Sequence, residues 1–301
     1  MTSGVPDFIV AGTARSGTTA VADTLRDHPE VFVTTPKEPH YLGLGRRAPA
    51  YTGPGDAETI NRAVVVEEAD YLRLFEPAQP GQIRGDGSSS SLYFHEAAIP
   101  VLQRLNPDVK VVILLREPLA RAYSAYQYQQ MRGFETATFA EALAAEDQRI
   151  ADGWHHIWHY RRMGEYTPSV KAYLDAFGRE QVGVWFYDDI ERDAGAVLRD
   201  VLAHIGATPD ATDREALRRI NVSGEARSEL MQRGIHALTR QVAVREAIKK
   251  VLPYRAREAI RRLNLKPTGL PTDVGAELRE SLRPDAVALE ELLGRPVPWR
   301  S

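Results

Sequence analysis

The chain has 301 residues, of which 43% are hydrophobic and 26% charged, enough to bury the core of one large α/β domain. Its formal net charge of −3 excludes the general basic excess that drives binding to nucleic acids, so any anion site must be assembled locally. The absence of cysteine excludes disulfides, thiol nucleophiles and cysteine-ligated metals. No run approaches ~20 apolar residues and no basic signal region opens the chain, so we expect a cytoplasmic protein.

The first part of the chain alternates short apolar runs with helical patterns. Residues 8–11 form an apolar run that ends at Gly12, and a small-residue turn and a helical pattern follow it. A second run, 31–33, is followed by a polar and proline-containing cluster at 34–40. The segment 43–56 is rich in Gly, Pro and Ala and predicts a loop that is long enough to act as a lid.

The same alternation continues to about residue 205. The run 109–115 is the strongest strand signal, because an unbroken apolar run suits a central parallel strand covered on both faces. Polar clusters follow the apolar runs, where a doubly wound sheet collects its ligands. We therefore predict an α/β, P-loop-like three-layer fold with a central parallel sheet flanked by helices. The other predicted elements are a strand at 182–187 and helices at 67–75, 97–105, 120–130 and up to 205.

The last part of the chain has a different pattern. We predict one domain over 1–301, with an α/β core at 1–220 and a helical C-terminal extension at 221–301 packed on that core. Beyond 221 we find no strand signal, only helical patterns separated by prolines, the last of them Pro284. Between 245 and 266 the chain has eight Lys or Arg against two Glu, interleaved with apolar residues. This pattern favours a solvated helix face, with peripheral membrane contact as the alternative.

The turn from Gly12 to Thr19 has the glycine spacing and the terminal hydroxyls of a phosphate-binding loop between a strand and a helix. The lysine of an ATP-binding loop should follow the second glycine, but Thr18 stands there and the cation is Arg15, inside the loop. One loop cation without a metal ion suits a 5′-phosphosulfate better than a triphosphate. The alternative is an ordinary glycine turn at the start of a helix.

Two further groups of polar residues follow predicted strands. Arg116 ends the buried run 109–115, where its planar guanidinium suits a phosphate, although an ion pair with Glu117 or an aspartate is the alternative. Ser124, on the next helix, is placed to donate to the same phosphate. Glu38 lies between Lys37 and His40 and is a candidate general base beside a cation.

These segments resemble signatures of the sulfotransferases that use 3′-phosphoadenosine 5′-phosphosulfate (PAPS). Arg15-Ser16-Gly17-Thr18-Thr19 is similar to their 5′-phosphosulfate loop, and Arg116-Glu117-Pro118 with Ser124 is similar to their 3′-phosphate motif. Lys37-Glu38-Pro39-His40-Tyr41 resembles the Lys-Glu-Pro-His-Phe segment of the heparan sulfate and bacterial branches, where the Glu is the catalytic base. In one departure, Asp86-Gly87-Ser88-Ser89 lacks the lysine that such members carry before their third strand.

The resemblance implies transfer of a sulfuryl group from PAPS to a hydroxyl, in preference to an amine, of a small-molecule, glycan or lipid acceptor. The reaction would be an in-line displacement without a metal, with Glu38 as general base. A kinase-like phosphotransferase and a non-enzymatic nucleotide sensor are the alternatives. The expected site residues are Glu38, Arg15, His40 and Lys37 for catalysis, and Arg15, Ser16, Gly17, Thr18, Thr19, Arg116 and Ser124 for PAPS.

A histidine-rich segment follows the predicted core helices. His155 and His159 are four residues apart, as in some metal sites, but no carboxylate completes a zinc motif, so we expect no metal. We interpret His155, His156 and His159 as residues of the surface or of the acceptor wall. The neighbouring Trp154, Trp158 and Tyr160 are expected either in an acceptor pocket or in the core.

Overall fold

A computed structural model describes residues 4–209 and 273–299, together with the backbone at 225–226 and 265–266. Its main sheet has five parallel strands in the order β2-β3-β1-β4-β5, which confirms the predicted fold class. β1 lies at the centre, so the loop that follows it emerges between β3 and β4. The strands are β1 (Phe8–Gly12), β2 (Val31–Val33), β3 (Ile83–Asp86), β4 (Lys110–Leu115) and β5 (Val182–Phe186).

Helices cover both faces of this sheet. They are α1 (Thr18–Arg26), α2 (Tyr41–Leu44), α3 (Ile60–Ala63), α4 (Glu68–Arg73), α5 (His95–Leu105), α6 (Pro118–Met131), α7 (Phe139–Ala144), α8 (Glu146–Ala151), α9 (Thr167–Phe177), α10 (Tyr187–Ile205) and α11 (Asp273–Leu293). Two short 3₁₀ turns, His156–Trp158 and Arg162–Gly164, connect α8 to α9. In the described part of the chain, no helix is long and apolar enough to cross a membrane.

The alternation of side chains along β4 explains the three layers. Val112 and Leu114 point to one face of the sheet, where they pack with α1 and α10. Val111 and Ile113 point to the other face, where they pack with α5 and α9. Because both faces of β4 are covered, its sequence is apolar at nearly every position, as predicted for a central parallel strand.

Three expectations about secondary structure were wrong. β6 (Glu225–Ala226) pairs antiparallel with β7 (Leu265–Lys266), where we predicted no strand, because two residues are too few to show a period. Pro284 lies inside α11 instead of ending a helix, and the buried face of α11 continues on both sides of it. The strand predicted at 182–187 ends at Phe186, and Tyr187 is the first residue of α10. The acidic residues after Tyr187 therefore lie in the first helical turn, where the helix dipole favours them. The basic segment 245–266, apart from β7, lies outside the described residues.

Asp285 connects α11 to the α/β core. Its carboxylate accepts hydrogen bonds from the backbone N–H groups of Tyr166 and Thr167, at 2.8 and 3.0 Å. These two groups lie at the start of α9, where backbone donors have no partner within the helix. Asp285 therefore caps α9 from another element, and the cap depends on α11 being in place.

Replacing Asp285 with Ala is expected to lower the free energy of unfolding by ~0.5–2 kcal/mol, because α9 loses its capping acceptor. Urea unfolding followed by circular dichroism measures this change. Asp175→Ala is the matched control, since Asp175 pairs with Lys171 on the exposed side of the same helix and should cost less than ~0.5 kcal/mol. Equal losses in the two variants would contradict the capping role.

Candidate active site

The phosphate-binding loop predicted from the sequence joins β1 to α1 at the centre of the sheet. Gly17, the residue before α1, has a φ of 86°, a left-handed conformation that glycine adopts without strain. A side chain on Gly12 would place its Cβ 2.6 Å from the Cβ of Leu92 and 2.9 Å from the carbonyl oxygen of Ser89. This glycine therefore lets the segment after β3 approach the loop closely. The first-turn N–H groups of α1 have the polarity that suits an anion.

Arg15 and Arg116 bring the two predicted halves of the nucleotide site together. Arg15 Nε donates to Ser124 Oγ at 3.1 Å, and Arg116 Nη1 donates to the carbonyl oxygen of Arg15 at 3.2 Å. Each guanidinium lies over a tyrosine ring, Arg15 over Tyr128 at 4.9 Å and Arg116 over Tyr187 at 4.3 Å. The loop cation and the serine on α6 are thus parts of one site.

The alternative partner considered for Arg116 is engaged elsewhere. Glu117 accepts from the N–H of Ala120 at 2.5 Å and from Arg279 Nε at 3.1 Å. Among residues 4–209 and 273–299, no carboxylate forms an ion pair with Arg116. The hydroxyl of Tyr166 donates to the carbonyl oxygen of Arg116 at 2.8 Å and fixes the backbone at this point. The charge of Arg116 is therefore available to an anionic ligand.

Ser16 provides an independent indication of a ligand. Its hydroxyl is buried and makes no hydrogen bond within the described part of the chain. Buried hydroxyls are nearly always hydrogen-bonded in folded proteins. A phosphate oxygen beside Arg15 would supply the missing acceptor, so the donors present in the loop fit an anionic phosphate group.

Glu38 lies at the centre of a second cluster at the same edge of the sheet. Lys37 Nζ donates to Glu38 Oε1 at 2.9 Å and to the carbonyl oxygen of Gly87 at 3.1 Å. Ser89 Oγ donates to Glu38 Oε2 at 2.9 Å, and His40 Nε2 lies 3.8 Å from the same oxygen. The structure thus brings together three of the four residues predicted for catalysis, and the fourth, Arg15, lies in the phosphate-binding loop.

Glu38 and His40 approach each other for a reason that the sequence did not indicate. Alternation along a strand would send both side chains to one side, but β2 ends at Val33. His40 instead has a φ of 55°, and its backbone N–H donates to Ser88 Oγ at 3.0 Å. Its ring nitrogen Nδ1 is 2.8 Å from Ser90 Oγ. A turn held by serines, and not a strand, sets the geometry.

The serine-rich segment after β3 is the part of the site that sequence reasoning did not assign. Asp86 ends β3 and accepts from the N–H and the hydroxyl of Ser88, at 2.8 and 2.6 Å, and from the hydroxyl of Tyr71 at 2.9 Å. Gly87 stands where the sequences that this segment resembles have a lysine, and a Cβ there would lie 3.2 Å from Lys37 Cγ. Lys37 therefore occupies the space beside this position. The available signal was the run of hydroxyl residues directly after a strand.

The two candidate bases, Glu38 and His40, differ in pKa and in exposure. Burial raises the pKa of Glu38, but the charges of Lys37 and His40 and two hydrogen bonds outweigh it and hold that pKa at about 2. Burial lowers the pKa of the His40 imidazole. At neutral pH Glu38 is therefore ionised. Its side chain is 29% exposed, against 11% for His40, so an acceptor reaches Glu38 more easily.

Replacing Lys37 with Met is expected to move the acid limb of the pH–kcat/KM profile to higher pH. The variant loses the cation that lowers the pKa of Glu38 and keeps the burial that raises it, so the carboxylate takes up its proton at a higher pH. Initial rates between pH 4 and 8 measure the shift: with the pKa of Glu38 at about 2, wild type should show no acid limb in this range, whereas the variant should lose activity within it. Lys171→Met, on the exposed face of α9, is the control. An unchanged acid limb would show that Lys37 does not control this carboxylate.

The histidine-rich segment is buried, so the surface interpretation of these residues was wrong. His155, His156 and His159 are at most 8% exposed, because the loop around Asp56 and the rings of Tyr93 and Phe94 cover them. Trp158 and Tyr160 are fully buried and belong to the core. Within the described ranges, no group of three or more His, Asp or Glu side chains is arranged so that it could hold a metal ion.

The phosphate-binding loop, Arg15 and Arg116 beside it and the Glu38 cluster lie at one edge of a P-loop-like α/β sheet. A family model described as "Sulfotransferase domain" matches residues 5–223. The chain therefore belongs to the sulfotransferase family, which confirms the resemblance seen in the sequence.

Known proteins from animals and bacteria are similar to this chain. Carbohydrate sulfotransferase 15 of Mus musculus is 27% identical over 262 residues, covering 71% of this chain and 46% of the relative. Bifunctional heparan sulfate N-deacetylase/N-sulfotransferase 3 of Mus musculus is 24% identical over 226 residues, covering 71% of this chain and 24% of the relative. The chain thus spans less than half the length of these relatives. A crystal structure of a sulfotransferase from Alicyclobacillus acidocaldarius has a TM-score of 0.74 and 28% identity, with 99% of each chain covered.

Proposed function

We propose that this protein transfers a sulfuryl group from PAPS to a hydroxyl of an acceptor. The observation that carries the proposal is the meeting of two clusters at one edge of the sheet. The N–H of Leu92 donates to the carbonyl oxygen of Ala11 at 2.7 Å, which ties the serine segment to the start of the phosphate-binding loop. Ser89, in that segment, holds Glu38. A candidate base therefore lies beside a candidate phosphate site.

Different cationic and hydroxyl groups would bind the two phosphate groups of the nucleotide. The backbone N–H groups of Ser16 to Thr19, at the start of α1, would hold the 5′-phosphate, and the unpartnered Ser16 hydroxyl would donate to it. Arg116 and Ser124 would hold the 3′-phosphate. Arg15 lies between these groups, where its charge would stabilise the phosphate oxygen that departs from sulfur.

Glu38 would accept the proton of the acceptor hydroxyl. As the oxygen of that hydroxyl forms its bond to sulfur, the bond between sulfur and the 5′-phosphate oxygen breaks, and its electron pair leaves with adenosine 3′,5′-bisphosphate. Lys37 and His40 would orient Glu38 and the acceptor, and the charge of Lys37 would stabilise negative charge that develops on the sulfuryl oxygens. Glu38 is preferred to His40 because it is ionised and more exposed.

The acceptor is proposed as a small molecule, a glycan or a lipid that presents a hydroxyl. The names of the two mouse relatives refer to carbohydrate and to heparan sulfate, which supports a sugar among the candidates. The absence of the usual lysine at Gly87 distinguishes this site from the family pattern, so acceptors of those relatives are not carried over directly. The acceptor class and the cytoplasmic location stay predictions.

The thermal stability of the protein with different nucleotides tests the proposal. Adenosine 3′,5′-bisphosphate without a metal should stabilise the fold, by ~2.7 kcal/mol at a hundredfold excess over Kd, because it binds only the native state. ATP with Mg²⁺ is the comparison ligand. Stabilisation by ATP and Mg²⁺ alone would contradict the sulfotransferase and favour the phosphotransferase alternative. Release of the bisphosphate from PAPS in the presence of acceptors then separates an enzyme from a nucleotide sensor.

A further inference from the structure

Asp56 is a buried carboxylate that neither the nucleotide site nor the Glu38 cluster uses. It is 1% exposed and accepts four hydrogen bonds. The donors are the N–H of Gly53 at 3.0 Å, the N–H and Nδ1 of His155 at 3.0 and 2.7 Å, and Nε1 of Trp158 at 3.1 Å. This carboxylate therefore attaches the loop that follows the Glu38 segment to the histidine-rich segment.

The bond to Asp56 fixes the tautomer of the His155 ring. An ionised carboxylate only accepts hydrogen bonds, so Nδ1 of His155 carries the proton, and in the neutral imidazole Nε2 has the lone pair. Nε2 of His155 makes no hydrogen bond within the part of the chain that the structure describes, and the side chain keeps 10% of its surface exposed. In His159, by contrast, Nδ1 is 2.7 Å from the Tyr93 hydroxyl and Nε2 is 3.0 Å from the Trp154 carbonyl oxygen.

A row of rings connects His155 to the candidate base. The ring of His155 lies 5.3 Å from that of His156, and the ring of His156 lies 6.4 Å from that of His40. His40 in turn is 3.8 Å from Glu38. Tyr51 covers the other side of His155, at 6.0 Å between ring centroids. His155 is thus linked to His40 and Glu38 through the ring of His156.

We infer that Nε2 of His155 binds the acceptor, as a hydrogen-bond acceptor for a second hydroxyl or N–H group remote from the one that reacts, and that Asp56 positions it. The inference rests on the proposed function. The ligand group at this point carries no negative charge, because the carboxylate of Asp56 behind the ring repels a sulfate or a carboxylate. A neutral disaccharide carries several hydroxyls, so one of them can bind His155 while another reacts beside Glu38.

His155→Asn separates acceptor binding from a merely structural role. The Asn side chain keeps an N–H that can donate to Asp56, and it removes the lone pair at the position of Nε2. With octyl β-D-maltoside as the acceptor probe and PAPS as donor, the KM for the probe should rise about tenfold while kcat stays within about twofold. His28→Asn is the matched control, because both ring nitrogens of this buried histidine are engaged at the far side of the sheet.

Chemical modification tests the same nitrogen without turnover. Diethyl pyrocarbonate followed by mass spectrometry should modify His155 at least about tenfold faster than His159, whose two nitrogens are hydrogen-bonded. Adenosine 3′,5′-bisphosphate together with octyl β-D-maltoside should protect His155, and the bisphosphate alone should not. Slow modification of His155, absence of protection by the probe, or an unchanged KM in His155→Asn would each overturn the inference.

Asp56→Asn tests the positioning role. The amide keeps the shape of the carboxylate and can donate to Nδ1, so His155 loses its single tautomer, which ¹⁵N NMR of the imidazole detects directly. The probe KM should rise while bisphosphate binding is unchanged. If the bisphosphate fails to stabilise even the wild-type protein, the proposed function itself has failed. If it stabilises wild type and all variants equally and only the probe results are negative, the fault lies with His155.

Discussion

Glu38→Gln is expected to lower kcat by ~10²–10⁴-fold, the usual contribution of a general base. The amide keeps the size of the side chain and an oxygen that can accept from Ser89 or Lys37, but it cannot take the acceptor's proton. Affinity for adenosine 3′,5′-bisphosphate should stay as in wild type, because the described contacts of Glu38 are with Lys37, His40 and Ser89 and not with the candidate nucleotide ligands. Single-turnover rates and bisphosphate titrations measure the two quantities separately.

Two variants of neighbouring residues make this result specific. Ser89→Ala removes one hydrogen bond to Glu38 and keeps the carboxylate, so kcat should fall by about tenfold or less. His40→Asn removes the rival base and its contact with Ser90. If Glu38→Gln keeps near-normal kcat while His40→Asn abolishes it, the base is His40, and Lys37 with Glu38 form a structural ion pair.

The elements that the sequence predicted well have strong local signals. The run of β4 is apolar at successive positions because helices cover both of its faces, and this pattern cannot be confused with a half-exposed strand. The loop before α1 was recognisable because glycine, cation and hydroxyls occur together within eight residues. The same applies to Arg116 and Ser124. Arg116 directly follows the end of β4, and Ser124 lies in the second turn of α6, the next helix.

The parts that were not predicted depend on contacts between distant segments. Asp56 and His155 are 99 residues apart, and neither has neighbours in sequence that indicate the pair. The roles of Ser88 and Ser90 depend on the left-handed backbone conformation of His40. Few residues other than glycine adopt this conformation, so the sequence alone does not predict it. Such contacts arise only after the sheet has brought the ends of its strands together, so a linear pattern does not contain them.

Arg116→Ala is expected to remove most of the preference for adenosine 3′,5′-bisphosphate over adenosine 5′-phosphate. Loss of a charge-assisted contact to the 3′-phosphate costs ~1.5–3 kcal/mol, which is about ten- to hundredfold in Kd. The 5′-phosphate affinity should change less, although Arg116 also donates to the carbonyl oxygen of Arg15. Calorimetric titration of both nucleotides into both proteins gives the ratio directly, and the affinity for adenosine 5′-phosphate reports any disturbance of the loop.

Arg116→Lys separates the charge of this residue from its geometry. Lysine keeps the positive charge, but it loses the planar group that stacks on Tyr187 and the fork that can meet two phosphate oxygens. Its preference for the bisphosphate should therefore lie between those of Ala and wild type. Ser124→Ala, which removes a single hydroxyl, should cost less than Arg116→Ala. An Ala variant that still prefers the bisphosphate as strongly as wild type would place the 3′-phosphate elsewhere, with Arg116 only supporting the backbone of the loop.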